Sequence, residues 1–148
     1  LLQVHGAVLG HVDTTGRGAF EYLFSGFTGD TTTFYGLLSL LTNARLSPVS
    51  TFENGKNLMH LAVEKQSLFL VDRAIELNVE INHTSDEGLT PLHLAAMKSN
   101  DLSLLKKLVE EGADVTALSA FGETAYDLAI ENEKLSNAKD VLQFLKAE

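Results

Sequence analysis

The stretch Gly88-Leu89-Thr90-Pro91-Leu92-His93-Leu94-Ala95-Ala96 sets the fold. Thr90 carries a hydroxyl suited to capping a helix, and Pro91 fits the first helical position, where a missing N–H costs nothing. Leu92, Ala95 and Ala96 then form a narrow apolar stripe at helical spacing, and the small alanines let a neighbouring helix approach closely. Downstream, Asp101 is placed to cap a second helix from Leu102, with Leu104, Leu105, Leu108 and Val109 on its buried side. Gly112 suits the left-handed residue that ends such a helix. Val115 to Gly122 reads as an extended turn leading onward.

The same grammar recurs on both sides. Gly55-Lys56-Asn57-Leu58-Met59-His60-Leu61-Ala62 precedes the central copy, and Gly122-Glu123-Thr124-Ala125-Tyr126-Asp127-Leu128-Ala129 comes after it. The glycine steps are 88 − 55 = 33 and 122 − 88 = 34. Asn78-Val79-Glu80-Ile81-Asn82 and Gly112-Ala113-Asp114-Val115-Thr116 keep that step, 112 − 78 = 34. Leu70, Val71, Ala74 and Ile75 map onto Leu104, Leu105, Leu108 and Val109, again 34 apart. Asn78 is the next-best choice for the job Gly112 does. Two marker motifs and an apolar pattern on one period define a repeat protein.

Gly88 to Ala96, with Gly112-Ala113-Asp114-Val115 further on, resembles the ankyrin repeat, and the resemblance covers about residues 50–148. It implies an all-α fold, a solenoid of stacked antiparallel helix pairs joined by β-hairpin-like fingers. The expected organisation is about four repeats. Residues 1–49 form a degenerate first repeat or a packed extension, and residues 50–82, 83–116 and 117–148 form the repeats proper. In the Gly55 copy, Asn57-Leu58 replaces the family's Thr-Pro, which implies a less firmly set helix start. In the Gly122 copy, Ala125 replaces Pro and Asp127 replaces His. Glu131 to Lys134 are polar, and Val141, Leu142, Phe144 and Leu145 give a final helix one apolar face, as a terminal cap requires. Upstream, Gly16-Arg17-Gly18-Ala19-Phe20-Glu21-Tyr22-Leu23 is a worn copy of the motif, with Phe34, Leu37, Leu38, Leu40 and Leu41 as its second helix. The step to Gly55 is 55 − 16 = 39, so Gly26 to Thr33 must absorb the excess, with Asp30 or a Thr capping that second helix.

Composition narrows function. The 148 residues suffice for one domain or a short stack, and 45% hydrophobic with 21% charged residues is a globular balance. Twenty acidic against eleven basic residues give a net charge of −9, which disfavours direct nucleic-acid binding and suits a basic protein partner. Cysteine is absent, so disulfides and Cys-based zinc sites are excluded. No apolar run reaches the ~18 residues of a membrane span. The start Leu1-Leu2-Gln3-Val4 lacks Met and a basic leader, which reads as a piece of a longer intracellular chain, cytoplasmic or nuclear.

The chemistry-bearing residues point the same way. His60 and His93 share one repeat position, 33 apart, and the resemblance implies hydrogen bonds within and between repeats rather than metal ligation. His5 and His11 fit neither a helical pair nor a zinc spacing, and His83 stands alone in a turn. Gly16-Arg17-Gly18 lacks a full phosphate-binding pattern, and neither a P-loop nor a Gly-x-Ser-x-Gly elbow occurs. No catalytic residue, cofactor or metal is expected, and the chain reads as a non-enzyme.

The resemblance implies instead a partner-binding face on the finger tips and the exposed side of each first helix. By position this gives Lys56 and Glu64 in one repeat, Asp86, Glu87, Leu89, Met97 and Lys98 in the next, and Leu118, Phe121, Glu123 and Glu131 in the last. Leu89, Met97, Leu118 and Phe121 would form an apolar hot spot with an acidic rim, unless Leu118 and Phe121 pack on the adjacent finger. The implied role is a module that binds or scaffolds a partner protein. The alternatives are a regulatory segment acting on a neighbouring domain of a larger enzyme or transcription factor, or an enzyme using residues 1–50.

Overall fold

A computed structural model describes residues 19–43, 53–100 and 102–146. His5, His11, Gly16-Arg17-Gly18 and Asp101 lie outside the described residues, as do the side chains of Ala19, Tyr22, Leu41 and Val141. The helices are α1 (Ala19–Ser25), α2 (Thr31–Asn43), α3 (Leu58–Glu64), α4 (Leu68–Glu76), α5 (Pro91–Lys98), α6 (Ser103–Glu110) and α7 (Ala125–Glu131). A short 3₁₀ turn covers Glu53–Gly55, and a 3₁₀ run covers Glu133–Leu145. No strand occurs among the described residues.

Each first helix of a repeat begins on a polar side chain that accepts the N–H three residues on. Asn57, Thr90 and Thr124 do so for His60, His93 and Asp127. In all three the third residue's side chain reaches back to the cap's own N–H, closing a reciprocal capping box. The Gly55 copy therefore starts as firmly as its neighbours. Asn57 replaces the Thr-Pro signal, and its Nδ2 also donates to the Glu80 carbonyl at 2.9 Å. Ser67 caps α4. Asp30 caps α2, accepting from the Thr33 N–H at 3.2 Å. For α6 the flanking residue is Leu102, which brings no side-chain cap, and the helix starts at Ser103 rather than Leu102. Asn78 and Gly112 end α4 and α6 with φ of 61° and 101°, the left-handed stop expected of both.

The helices stack in two rows. α1 packs on α3, α3 on α5 and α5 on α7, while α4 and α6 lie beside α3 and α5 and touch each other. Leu58, Met59, Ala62 and Val63, then Leu92, Ala95 and Ala96, then Ala125, Leu128 and Ala129 line one continuous core with Leu70, Val71, Leu104, Leu105 and Leu108. The 3₁₀ run packs on α7, in place of the α-helix expected there. Asn132 sets the tighter turn. Its Oδ1 accepts the Lys134 N–H at 3.0 Å, and its Nδ2 donates to the carbonyls of Ala96 and Ser99. Leu142 and Leu145, three apart, fall on one side of a 3₁₀ helix and are buried with Leu135, while Phe144 is half-buried.

At the other end an aromatic cluster joins α1 and α2 to the repeats. Phe34 sits 5.6 Å from Phe24, 5.5 Å from Phe27 and 5.2 Å from Phe69, centroid to centroid. Phe27 and Phe69 stack at 5.0 Å. Arg73 of α4 covers Phe69 and Tyr35, donates to the Tyr35 hydroxyl and pairs with Glu76 at 2.7 Å. The apolar spacing in residues 19–43 thus folds as a helix pair docked on α3.

The two repeat-position histidines tie the layers together. Both rings are buried. His60 Nδ1 accepts the Asn57 N–H at 3.2 Å, and its Nε2 lies 2.8 Å from the Leu89 carbonyl of the next repeat. His93 Nδ1 accepts the Thr90 N–H at 3.1 Å, and its Nε2 reaches the carbonyls of Ala117 and Glu123 at 3.1 and 3.2 Å. With Nδ1 accepting, the ring proton sits on Nε2 and is donated across the repeat junction. Burial, helped by the nearby His83 and Lys56, pushes His60 from its ordinary 6.5 down to about 4. Burial lowers His93 as well.

This packing and this burial can each be measured. Leu105→Ala, at a fully buried site of α6, costs on the order of 2–5 kcal/mol in denaturant unfolding, and a loss under about 1 kcal/mol would contradict the core described above. The unfolded chain binds a proton on His60 near pH 6.5, the folded chain only near about 4. Stability from this group is complete above pH 6.5, drains as pH falls towards 4 and is gone below it, a loss of roughly 3 kcal/mol. Unfolding curves at about pH 7, 5.5 and 4.5 should show that slope, and His60→Gln should flatten it; equal slopes in both proteins would count against a buried neutral His60.

Candidate functional site

Between the helix pairs the chain folds into fingers, the second around Ser85 to Leu89 and the third around Ser119 to Glu123. In finger 2 the Ser85 N–H donates to the Leu89 carbonyl at 3.0 Å and the Gly88 N–H to the Ser85 carbonyl at 2.9 Å. In finger 3 Ser119, Glu123 and Gly122 repeat this with bonds of 2.9 Å each. Ser119 Oγ also accepts from the N–H groups of Phe121 and Glu123. Buried Ser85 and Ser119 thus brace each finger from within.

The fingers touch along their glycines. A β-carbon on Gly88 (φ 74°) would lie 2.7 Å from the Ala120 backbone nitrogen, and one on Gly55 (φ 70°) only 2.5 Å from Asp86 Oδ1. The Asp86 N–H donates to the Asn54 carbonyl at 2.8 Å. Glycine is required at both positions by conformation and by space. At the finger bases, His83 Nε2 lies 2.8 Å from the Gly55 carbonyl, so the histidine that stands alone in the sequence is partnered in the fold. Asn82 links to Gly112 and Asp114 in the same way. No local pattern announces these junctions, because the partners lie about thirty residues apart.

The residues expected to bind a partner divide by environment. Lys56 and Glu64 pair with each other at 2.6 Å, each about a quarter exposed, so they rigidify their own repeat. Leu89 is half-buried and packs against the core, and its carbonyl takes the His60 bond. It serves the repeat junction and is not a free apolar anchor. Glu123 is half-buried, with its carbonyl facing His93. Asp86, Glu87, Lys98 and Glu131 are exposed. So are Met97 at 44%, Leu118 at 59% and Phe121 at 85%. Leu118 and Phe121 therefore do not bury themselves on the neighbouring finger; Ala120, between them, makes that contact.

Little else offers chemistry. Among the described residues no three His, Asp or Glu converge in a way that would hold a metal ion. A cleft of about 290 Å³ between the α3–α4 and α5–α6 turns is lined by Gln66, Leu68, Ser99, Asn100, Ser103 and Leu104, with no titratable group. None of the described helices is long and apolar enough to cross a membrane.

Comparison with known proteins agrees with the geometry. A family model described as ankyrin repeats (3 copies) matches residues 29–119 and 59–148. The mouse (Mus musculus) B-cell lymphoma 3 protein homolog is 33% identical over 110 residues, covering 71% of this chain and 24% of that protein. Human (Homo sapiens) ankyrin repeat family A protein 2 is 38% identical over 93 residues, 60% of this chain and 29% of that protein. The mouse nuclear factor NF-kappa-B p105 subunit is 35% identical over 88 residues, 57% of this chain and 9% of that protein. The chain thus spans under a third of the length of these relatives. Ankyrin repeats are generally protein–protein interaction modules, typically without catalytic activity. With its period, its reciprocal caps and its stacked helix pairs, the chain belongs to the ankyrin-repeat family.

Proposed function

We propose that this chain binds a partner protein through the face made by its finger tips and the exposed sides of α3, α5 and α7. The observation that carries the reading is Phe121, a phenylalanine left 85% exposed on a finger whose neighbours pack through Ala120 and Gly88. A large apolar side chain in water gives up free energy that burial in a complex recovers, about 25 cal/mol per Å² of area covered. Leu118, three residues before Phe121, exposes a further apolar side chain on the same finger, and Met97 exposes another at the end of α5. Asp86 and Glu87 of finger 2 and Glu131 of α7 are acidic and exposed.

A second reading rests on the coverage of the relatives. Because the matched proteins are several times longer, the partner can be a neighbouring domain of the same polypeptide, held in check or in place by the stack. Both readings use the same surface and no catalytic group.

The test compares the wild type with Phe121→Asp/Met97→Asp as baits in cell extract, with retained proteins quantified by mass spectrometry. Some proteins held by the wild type drop at least about tenfold on the variant, while its melting temperature stays within a few degrees. An identical set on both baits, with both folded, would remove this face from consideration.

A further inference from the structure

We infer that the segment recognised on the last two fingers is a short basic amphipathic peptide, in which an aromatic or long aliphatic anchor is flanked by Lys or Arg. This rests on the reading of the face given above and names its partner chemistry. The tip of finger 3 is apolar along Leu118, Ala120 and Phe121, all exposed. The backbone beside it is accessible too. The place a side chain would take on Gly55 or Gly88 is filled by the next finger, whereas at Gly122 nothing lies within 4 Å. A peptide main chain can approach there as closely as one finger approaches another.

The charge pattern selects the flanks. Four carboxylates elsewhere among the described residues are matched by a Lys or Arg: Glu64 by Lys56, Glu76 by Arg73, and Asp72 and Glu111 by Lys107. Among the described residues no ion pair engages Asp86, Glu87, Glu123 or Glu131. Asp86 and Glu87 lie on finger 2, which meets finger 3 at Gly88 and Ala120, Glu123 lies two residues from Phe121, and Glu131 ends α7; Lys98 offsets part of their charge. Single exposed pairs contribute little, but several unpaired charges of one sign around a desolvating anchor set orientation and exclude like-charged partners. A phosphorylated peptide, a nucleic acid or an anionic lipid surface would meet repulsion here.

The experiment selects a phage-displayed random peptide library, about 16 residues long, in parallel on the wild type, on Phe121→Ser, and on the charge-reversed Glu87→Lys/Glu131→Lys chain, each checked by thermal melt. Wild-type clones should combine Phe, Trp, Leu or Met with a net positive charge, lose at least about tenfold in affinity on Phe121→Ser, and weaken as salt rises. The charge-reversed chain should enrich clones of net negative charge. Wild-type clones that are neutral or acidic, yet still depend on Phe121, would overturn the basic-peptide inference and leave the binding face standing. Recovery of no clone that depends on these residues would overturn both.

Discussion

One recurring hydrogen bond underlies the stack, from a buried imidazole Nε2 to a backbone carbonyl of the following repeat. The Leu89 and Glu123 carbonyls each already accept one N–H within their own finger. His60 and His93 bring these carbonyls a second donor from the preceding repeat, and His93 also reaches the Ala117 carbonyl. Each uses its other nitrogen to complete the cap of its own helix, so one side chain fixes the helix start and the position of the next finger together. Asp127 takes the same place in α7 and completes only the cap, its Oδ2 accepting from the Thr124 N–H at 3.0 Å. The short carboxylate does the local half of the histidine's work, and the 3₁₀ run then covers α7 from the other side.

Much of this is legible in the sequence because it is local. Thr90-Pro91, the alanine stripe, and Asn78 and Gly112 encode helix starts, a close-packed face and left-handed stops within a few residues each. The 34-residue step then orders the pieces. Features that depend on distant partners are not legible. The Asn57 cap draws support from Glu80, and the aromatic seal joins Phe34 and Tyr35 to Phe69 and Arg73. The terminal segment reads as an α-helix and folds as a 3₁₀ run. Its apolar residues suit either geometry, and the tether from Asn132 to Ala96 and Ser99 lies outside any local pattern.

The candidate site is legible by position but not by environment. Repeat register places these residues on the finger tips and first helices, but it cannot separate exposed side chains from packed ones. Leu89 and Phe121 flank the glycines of successive fingers, and both read as exposed apolar tips. In the fold, Leu89 leans on the core while Phe121 stands clear. Lys56 and Glu64 read as independent charges and neutralise each other. The exposed and unmatched groups among the expected binding residues are confined to the last two fingers and the ends of α5 and α7. A stack whose helix starts and finger turns are fixed by hydrogen bonds can present such a patch with little ordering on association, which suits recognition.

Whether neutral imidazoles join successive repeats is visible in long-range ¹⁵N–¹H correlation spectra of the histidine rings near neutral pH. His60 and His93 should each be a single neutral tautomer, with the proton on Nε2 and Nδ1 bare, and the Nε2 protons should exchange slowly with water. Rings that are protonated, or that average between tautomers as a solvent-exposed imidazole does, would contradict such a junction.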